Sequence, residues 1–518
     1  MSFKEGSASK LSNYLLALII GASGILLGVT YNYILFPLAW VCYVPLFYVV
    51  LAYKFSPLKS FLSGFCAATI HGLIVLSWII GTTSRYAGSQ SVLGYIFSFT
   101  GALIFAIKTG FPFLILSHLM KRYGNKNTLG KTIVLLGTAS VFVISDWIFS
   151  VIFTDIPWMF HFLGYTQSTN LYFSQLAELG GVWLITFILI FLNLLFTVSL
   201  HEKSNKIFRS GVLLIILIHA YGFIRYAAVE VNGKKHLKIA LVCDNTEPEI
   251  RWNKQYVNQY VHTLFKLNQE AVSHYPDLII WNEGSIPWSF SEDDDFLKEI
   301  LKQTKPYGAH HQLLSYFTYT GRDSGSSYNS AYLLDSTGKI EGRYDKCKLL
   351  GGLEKPLWNC KALQLPFLTL KNTDIEGTHL SPIESKDIGK VGVLICNESL
   401  TDNPSAALAH SSAGFLTLMA NDNWFSKTQL AAHHFYITRF RAIETRKDIA
   451  INANMGYSGL IASNGDIKEL SNEIGPKVLY FDVNTNENAS SFELRKEIFI
   501  GAMFLIFIIS LIKRKEKT

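Results

Sequence analysis

Three residues spread through this 518-residue chain have the side chains needed for acyl transfer through a thiol: Glu283, Lys346 and Cys396. A carboxylate can take the proton of a thiol, and the thiolate then attacks a carbonyl carbon. A lysine ammonium stabilises both the thiolate and the oxyanion that follows. The thioester so formed is open to a second nucleophile. Glu283 follows DLIIW (277–281), Lys346 lies in a turn-rich stretch after SAYLLD (330–335), and Cys396 closes KVGVLIC (390–396). In layered α/β domains, sites gather beyond the carboxyl ends of strands. Position alone leaves other readings open: a buried core cysteine, a capping or solvated glutamate and a surface lysine. Cys243 also ends a β-rich run and Cys347 adjoins Lys346, so the nucleophile is not unique by placement.

The elements that must position these residues are short β-rich runs with helical patterns between several of them. Besides the runs named above, these are 237–243, 312–320, 414–419 and 448–454. Apolar residues recur at helical spacing over 257–275 and 430–446. Such alternation predicts a layered domain with strands buried between helices, spanning 230–495.

The rest of the chain is apolar. Only 16% of all residues are charged, against about 25% in ordinary soluble proteins. A helix needs about 20 apolar residues to cross the hydrocarbon core of a bilayer. Seven runs qualify before residue 230: 11–30, 32–53, 59–80, 92–119, 132–153, 178–200 and 210–228. An eighth, 497–512, comes near the end. Lys4 and Lys10 precede the first run, which lacks a small-residue cleavage site and is read as a retained helix. The expected organisation is a seven-helix membrane domain (1–229), the layered domain (230–495), and a final membrane helix with a basic tail (496–518).

Lys and Arg favour the cytoplasmic side of membrane helices. With the N-terminus inside, the cytoplasmic loops carry Lys54 and Lys59, then Lys121, Arg122, Lys126 and Lys131, then Lys203, Lys206 and Arg209. The tail KRKEKT is also inside, and the outside loops hold little beyond Arg85. This orientation puts 230–495 outside the cytoplasm and both termini within it. The net charge of +7 is therefore read as membrane anchoring, not as a nucleic-acid surface.

Local sequence sharpens the thiol reading. WNEGSIPW (281–288), YDKCKLLGGLEKP (344–356) and GVLICNES (392–399) resemble the glutamate, lysine and cysteine motifs of the nitrilase, or carbon-nitrogen hydrolase, superfamily, in that superfamily's order. ANDNWF (420–425) resembles a segment of its membrane-bound branch. IPWMFHFLGYTQ (156–167) and QLAELGGVW (175–183) resemble elements of the apolipoprotein N-acyltransferases. The resemblance covers essentially the whole chain. It implies a polytopic α-helical membrane domain of about eight helices carrying an extracytoplasmic αββα sandwich.

It also implies a two-step reaction in the bacterial inner membrane. Cys396 would take an acyl chain from a phospholipid, typically phosphatidylethanolamine. The thioester would pass it to the α-amino group of the S-diacylglyceryl cysteine that begins a lipoprotein. By the family pattern Glu283 is the general base and Lys346 the oxyanion stabiliser. Glu354 and Glu398 support the site, Tyr344 matches the residue two before the lysine, and Trp252 lies on a loop that engages substrate. The chain departs from the pattern at Asn397, at Lys348 and at the turn Gly351-Gly352-Leu353, which bears on how substrates are positioned.

No cofactor or metal is expected. His433 and His434 are adjacent, so they point to different helix faces, and no third ligand stands nearby in sequence. A monomer is expected. Cys347 and Cys360 are spaced such that a disulfide is neither required nor excluded. Lys108 and Asp146 fall inside predicted membrane helices, where a central charge costs roughly 2.5–3.5 kcal/mol, so they are expected to pair or to face a polar cavity. The rival readings are a membrane-tethered amidase, with water as second nucleophile, and a non-catalytic lipoprotein-binding protein.

Overall fold

The computed structural model describes residues 12–87, 91–124, 128–229, 235–251, 253–308, 310–320, 326–360, 373–426 and 428–512. The first part is a helical bundle: α1 (Asn13–Val29), α2 (Val44–Ala52), α3 (Pro57–Val75), α4 (Trp78–Ala87), α5 (Ser91–Tyr123), α6 (Thr128–Ile152), the short α7 (Leu171–Ser174), α8 (Ala177–Glu202) and α9 (Asn205–Ala228). Serine caps begin three of them: Ser12 accepts from Leu15 N–H, Ser56 from Lys59 and Ser204 from Ile207. Among the described residues, six segments are long and apolar enough to cross a membrane, from Tyr33–Ala52 to Asn205–Ala228, and they coincide with the second to seventh predicted spans. The first predicted span forms a shorter helix of 17 residues.

Two predicted spans are not single helices. Residues 32–53 form a 3₁₀ segment, Tyr33–Trp40, followed after a break by α2. Pro37 lacks an N–H and interrupts regular helix. Asn193 of α8 bonds the groups freed at the break: its amide donates to Ala39 O at 2.9 Å, and its oxygen accepts Tyr43 N–H at 2.8 Å. Backbone polar groups at such depth need partners of this kind. The span 59–80 ends instead at Val75, and α4 starts a new direction at Trp78.

The second part is a four-layer sandwich. One sheet runs β13-β1-β2-β3-β4-β5, with β1 (Lys235–Cys243), β2 (Leu278–Trp281), β3 (His311–Tyr319), β4 (Ser326–Leu334), β5 (Ile340–Asp345) and β13 (Lys477–Thr485); β6 (Thr373–Asp374) pairs with β4. The other runs β12-β11-β10-β9-β8-β7, with β7 (Ile383–Ser385), β8 (Gly389–Ile395), β9 (Phe415–Asn421), β10 (Ile449–Asn454), β11 (Ser458–Ile461) and β12 (Ile467–Ser471). The strands that lead to the site are parallel within each sheet: β1, β2 and β3 in one, β8, β9 and β10 in the other. Leu241, Ile280 and Leu333 meet Val393, Ile395 and Met419 between the sheets. A single helical turn, α10 (Pro248–Arg251), follows β1, and the outer faces are covered by α11 (Val257–Ser273) and α12 (Asp295–Thr304) on one side, and by α13 (Asp402–His410) and α14 (Gln429–Thr445) on the other. α15 (Phe492–Leu511) then returns into the bundle beside α6 and α8.

The bundle and the sandwich share one apolar core. Leu430, Ile437 and Phe440 of α14 belong to the same cluster as Trp158, Phe162, Tyr165 and Trp183. By composition the aromatic-rich loop 154–177 suits a membrane–water interface. Its aromatics do not sit at a bilayer surface: Trp158, Phe160, Phe162 and Tyr165 are each at most 5% exposed. They form the floor on which α14 rests, because the sandwich buries them.

Candidate active site

The site is assembled where β2, β5 and β8 end. Cys396 is the first residue after β8 and opens a 3₁₀ turn, Cys396–Leu400. Its φ is +52°, a region that a non-glycine residue rarely occupies. Strain of this kind persists only where surrounding contacts hold it. Glu398 supplies them: its carboxylate accepts the N–H of Ile395 at 2.7 Å, of Cys347 at 2.7 Å and of Lys348 at 3.1 Å, and the hydroxyl of Tyr344 at 2.9 Å. Glu398 therefore locks the cysteine turn to the residues on either side of Lys346. Burial pushes its carboxyl up to about 7, against the pull of these donors.

Glu283 stands two residues beyond β2, buried, with its carboxylate accepting Asn329 Nδ2–H at 2.8 Å. The Lys346 ammonium lies 3.5 Å from the same oxygen. The Cys396 thiol is near enough for the two groups to perturb each other's titration. Burial raises the Glu283 carboxyl above the ordinary value, and Lys346 only partly offsets it. Lys346 is 1% exposed and donates to Glu354 Oε1 at 2.7 Å. Burial opposes its charge, but Glu354 and Glu283 outweigh that and hold the ammonium well above its usual range. Burial and the Glu283 charge likewise hold the Cys396 thiol well above its ordinary value. The upward shift of Cys396 favours a resting thiol over a standing thiolate. The structure brings Glu283, Lys346 and Cys396 together.

The altered turn at 351–353 has a structural account. Glu354 Oε2 accepts Leu350 N–H at 2.6 Å, closing the loop on itself, and Gly352 takes a φ of +85°. Gly351 N–H donates to Asp155 O at 2.7 Å, and a Cβ there would come within 2.8 Å of the Asp155 side chain. Lys355 pairs with Asp155 at 2.9 Å. The glycines let the lysine loop dock on the end of α6. Asn397 is buried and donates to Lys348 O at 3.0 Å, which ties the cysteine turn to the same loop. Trp252 lies outside the described residues.

Sequence reasoning missed two supports. Arg251, buried, donates to Glu283 O at 3.2 Å and pairs with Asp244 at 2.6 Å, while Tyr260 O–H reaches Asp244 at 2.6 Å. The second is His434, which the sequence presents only as a candidate metal ligand. Its Nδ1 lies 3.0 Å from Asp422 Oδ1, and its Nε2 is 2.9 Å from Ser399 Oγ and 3.1 Å from Cys396 O. His433 instead faces the bundle, stacked on His161 at 4.5 Å. The two histidines do not share a ligand position. Among the described residues, His311, Glu341 and Asp387 form the one group with metal-ligand atoms within 4.8 Å, on β3, β5 and the β7–β8 turn.

The rival cysteines differ from Cys396 in setting. Cys243 is a core residue whose thiol burial pushes up to about 12. Cys347, pushed up to about 11, faces the sandwich core. Cys347 and Cys360 are both free thiols. Cys396 alone among these packs with Leu350, Trp424 and Tyr457 against the core of the bundle. A thiol at that junction meets apolar chains from the helical side and polar groups from the sandwich.

A family model described as the apolipoprotein N-acyltransferase N-terminal domain matches residues 23–195, and one described as carbon-nitrogen hydrolase matches 245–487. An apolipoprotein N-acyltransferase of Geobacter metallireducens is 26% identical over 510 residues, covering 95% of this chain and 93% of its own. One from Coxiella burnetii is 23% identical, covering 88% of this chain and 90% of its own. Among solved structures, a carbon-nitrogen hydrolase from Helicobacter pylori G27 aligns at a TM-score of 0.37 with 16% identity, over 53% of this chain and 95% of its own. Fold and site define a multi-pass membrane protein bearing a carbon-nitrogen hydrolase domain. More narrowly, the chain belongs to the apolipoprotein N-acyltransferase family.

Proposed function

We propose that this chain moves an acyl group from a phospholipid, through a thioester on Cys396, to the α-amino group of an S-diacylglyceryl cysteine at a lipoprotein N-terminus. The single observation that carries the reading is the convergence of Glu283, Lys346 and Cys396 at the seam between sandwich and bundle. In the first step Glu283 takes the thiol proton as sulfur attacks the ester carbonyl of the phospholipid. Lys346 stabilises the oxyanion. The intermediate collapses, the ester C–O bond breaks, and Glu283 returns its proton to the departing lysophospholipid hydroxyl. In the second step the free amine attacks the thioester carbonyl and passes a proton to Glu283. The C–S bond breaks, the amide is released, and the sulfur leaves as the thiol.

A phosphatidylethanolamine donor and a monomeric enzyme fit this scheme. Both substrates are lipids, and drawing a chain into water costs about 0.8 kcal/mol per CH₂, so a site that opens on the bundle avoids that step. On this reading the chain divides into a membrane domain at 1–229, a catalytic domain at 230–495 and a final helix with a basic tail at 496–518. The basic loops support an inner-membrane orientation with the catalytic domain on the periplasmic side.

The test is to incubate the protein with labelled phospholipid and to look for an acyl adduct on Cys396 by mass spectrometry. A diacylglyceryl peptide bearing a free amine should then discharge it. Folded protein that forms no adduct would sink the reading. Ammonia release from small amides without transfer to a peptide would turn it into an amidase.

A further inference from the structure

A cavity lies beside the residues that follow the cysteine turn. It holds about 270 Å³ and is walled by α6, α8, the aromatic floor, the residues that follow the turn, and the start of α15. Leu400 and Thr401 line it, whereas Glu283, Lys346 and Cys396 do not. Its walls are of two kinds. Trp147, Val151, Phe160 and Phe162 are apolar, while Asp402, Asn403, Lys496 and Glu497 form a charged rim.

The rim is built rather than incidental. Lys496 is 4% exposed, and its ammonium lies 3.0 Å from Asn403 Oδ1, 3.4 Å from Asp402 Oδ1 and 3.5 Å from Glu497 Oε1. Three charged groups with a net charge of −1 therefore face one space. On the apolar wall, Trp183 is 5% exposed and its indole N–H is buried with no acceptor among the described residues. A buried donor without a partner calls for a ligand or an ordered water to complete it. Beside the cavity, α6 exposes Ile148, Val151 and Ile152, and α15 exposes Leu494 and Ile498. These belong to helices of the membrane domain, near the ends that meet the sandwich.

We propose that this cavity holds a resident phospholipid whose headgroup carries a primary ammonium beside its phosphate, distinct from the lipid that reacts at Cys396. The phosphate would accept from Lys496 and the Trp183 indole, the ammonium would donate to Asp402 and Glu497, and the acyl chains would follow the exposed apolar faces of α6 and α15. A zwitterionic head matches a rim holding one cation and two anions, whereas a purely anionic head would add charge to a site already negative. A trimethylated head offers the carboxylates no N–H. Because Leu400 and Thr401 continue the turn that begins at Cys396, a lipid seated here would also brace that turn.

The test uses the full chain in nanodiscs containing a diazirine-bearing phospholipid with an ethanolamine head, the cross-links being mapped by peptide mass spectrometry. Adducts are expected on 147–154 and 494–504. Labelling there should fall at least about fivefold with a choline head. It should fall equally in Val151→Trp, which fills the cavity from an exposed wall and leaves the ion pairs intact. Lys496→Met should weaken labelling too, but it strands Asp402, so Val151→Trp is the deciding variant. Equal labelling by both heads, or unchanged labelling in Val151→Trp, would overturn the proposal. The thioester on Cys396 is read in the same samples. Labelling without thioester counts against the proposed reaction alone, and thioester without labelling counts against this site alone.

Discussion

Glu398 Oε1 accepts the backbone N–H of Cys347 at 2.7 Å, so a carboxylate two residues past Cys396 is anchored to the strand end that carries Lys346. The same side chain accepts from Ile395, Lys348 and Tyr344. One buried group thus fixes the distance between thiol and ammonium and holds Cys396 at a positive φ. In Glu398→Gln an amide NH₂ must face some of these donors. A lost or reversed hydrogen bond to a buried group costs about 1–3 kcal/mol, so a loss of about 3 kcal/mol is expected over the several involved. Thioester formation should fall further than the thermal midpoint does. Tyr344→Phe removes one donor of four and should cost about 1 kcal/mol, with thioester formation largely kept. Calorimetry in detergent and adduct mass spectrometry read the two effects separately.

Lys346 has no room for a substitute. It is 1% exposed and sits between Glu354 and Glu283. Lys346→Met should cut the rate of thioester formation about 10²–10³-fold, the usual loss when an oxyanion donor is removed. Lys346→Arg should not restore it, because a planar guanidinium cannot place one point charge at the same spot. Restored activity in the arginine variant, measured by adduct formation over time, would mean that only net charge matters here.

The parts of this architecture that were readable from sequence are those in which each segment carries its own signal. β8 is a continuous apolar run because it is covered on both faces, and Cys396 could be placed at its end without knowing its neighbours. Glu283 was placed in the same way after the fully buried β2, whereas Lys346 was singled out only by its motif, because β5 is polar and only partly buried. β12 was not, because its middle three residues are exposed and polar residues mark it as loop. β13 was missed because it pairs with β1 across more than two hundred residues, a contact with no local trace. The supports at Arg251 and His434 were invisible in the same way: each acts through one backbone oxygen of a catalytic-motif residue, and only the fold says which. The aromatic loop misled because buried and interfacial aromatics have the same composition.

Lys108 Nζ and Asp146 Oδ1 meet at 2.6 Å between α5 and α6, beside Tyr31, His71 and His161. Their pairing, one of the two arrangements expected, is present together with the small polar cavity that was the other. Removing one partner of a buried ion pair leaves an uncompensated charge and costs about 3–5 kcal/mol. Lys108→Met should therefore lower the thermal midpoint in detergent strongly. Lys108→Met with Asp146→Leu should recover most of it, since an apolar pair of similar volume carries no stranded charge. If the double variant is no more stable than the single one, the pair does more than balance charge.

The pH dependence separates chemistry from folding. Burial raises the Glu283 carboxyl above 4.5, and the proposed base must be ionised. The rate of thioester formation should therefore fall as pH drops through this raised value, above the ordinary glutamate range. The stability term has the opposite sign. A carboxyl whose folded value is raised favours folding when protonated, so its contribution is fully present below the unfolded value and is lost as pH rises through the folded one. Over the pH window where activity falls, this group's contribution to stability grows. Glu283→Gln, a mimic of the protonated acid, should abolish thioester formation and leave the thermal midpoint at pH 7.5 equal to or above that of the unmodified chain. Lys346 retains Glu354 as a partner in that variant and is not stranded. Because Lys346 is held well above its usual range, no basic limb from its deprotonation is expected below about pH 10. Rates of adduct formation from pH 4.5 to 9, with melting followed in the same buffers, check both limbs. A rate that declines only where the protein melts would remove Glu283 from the role of base.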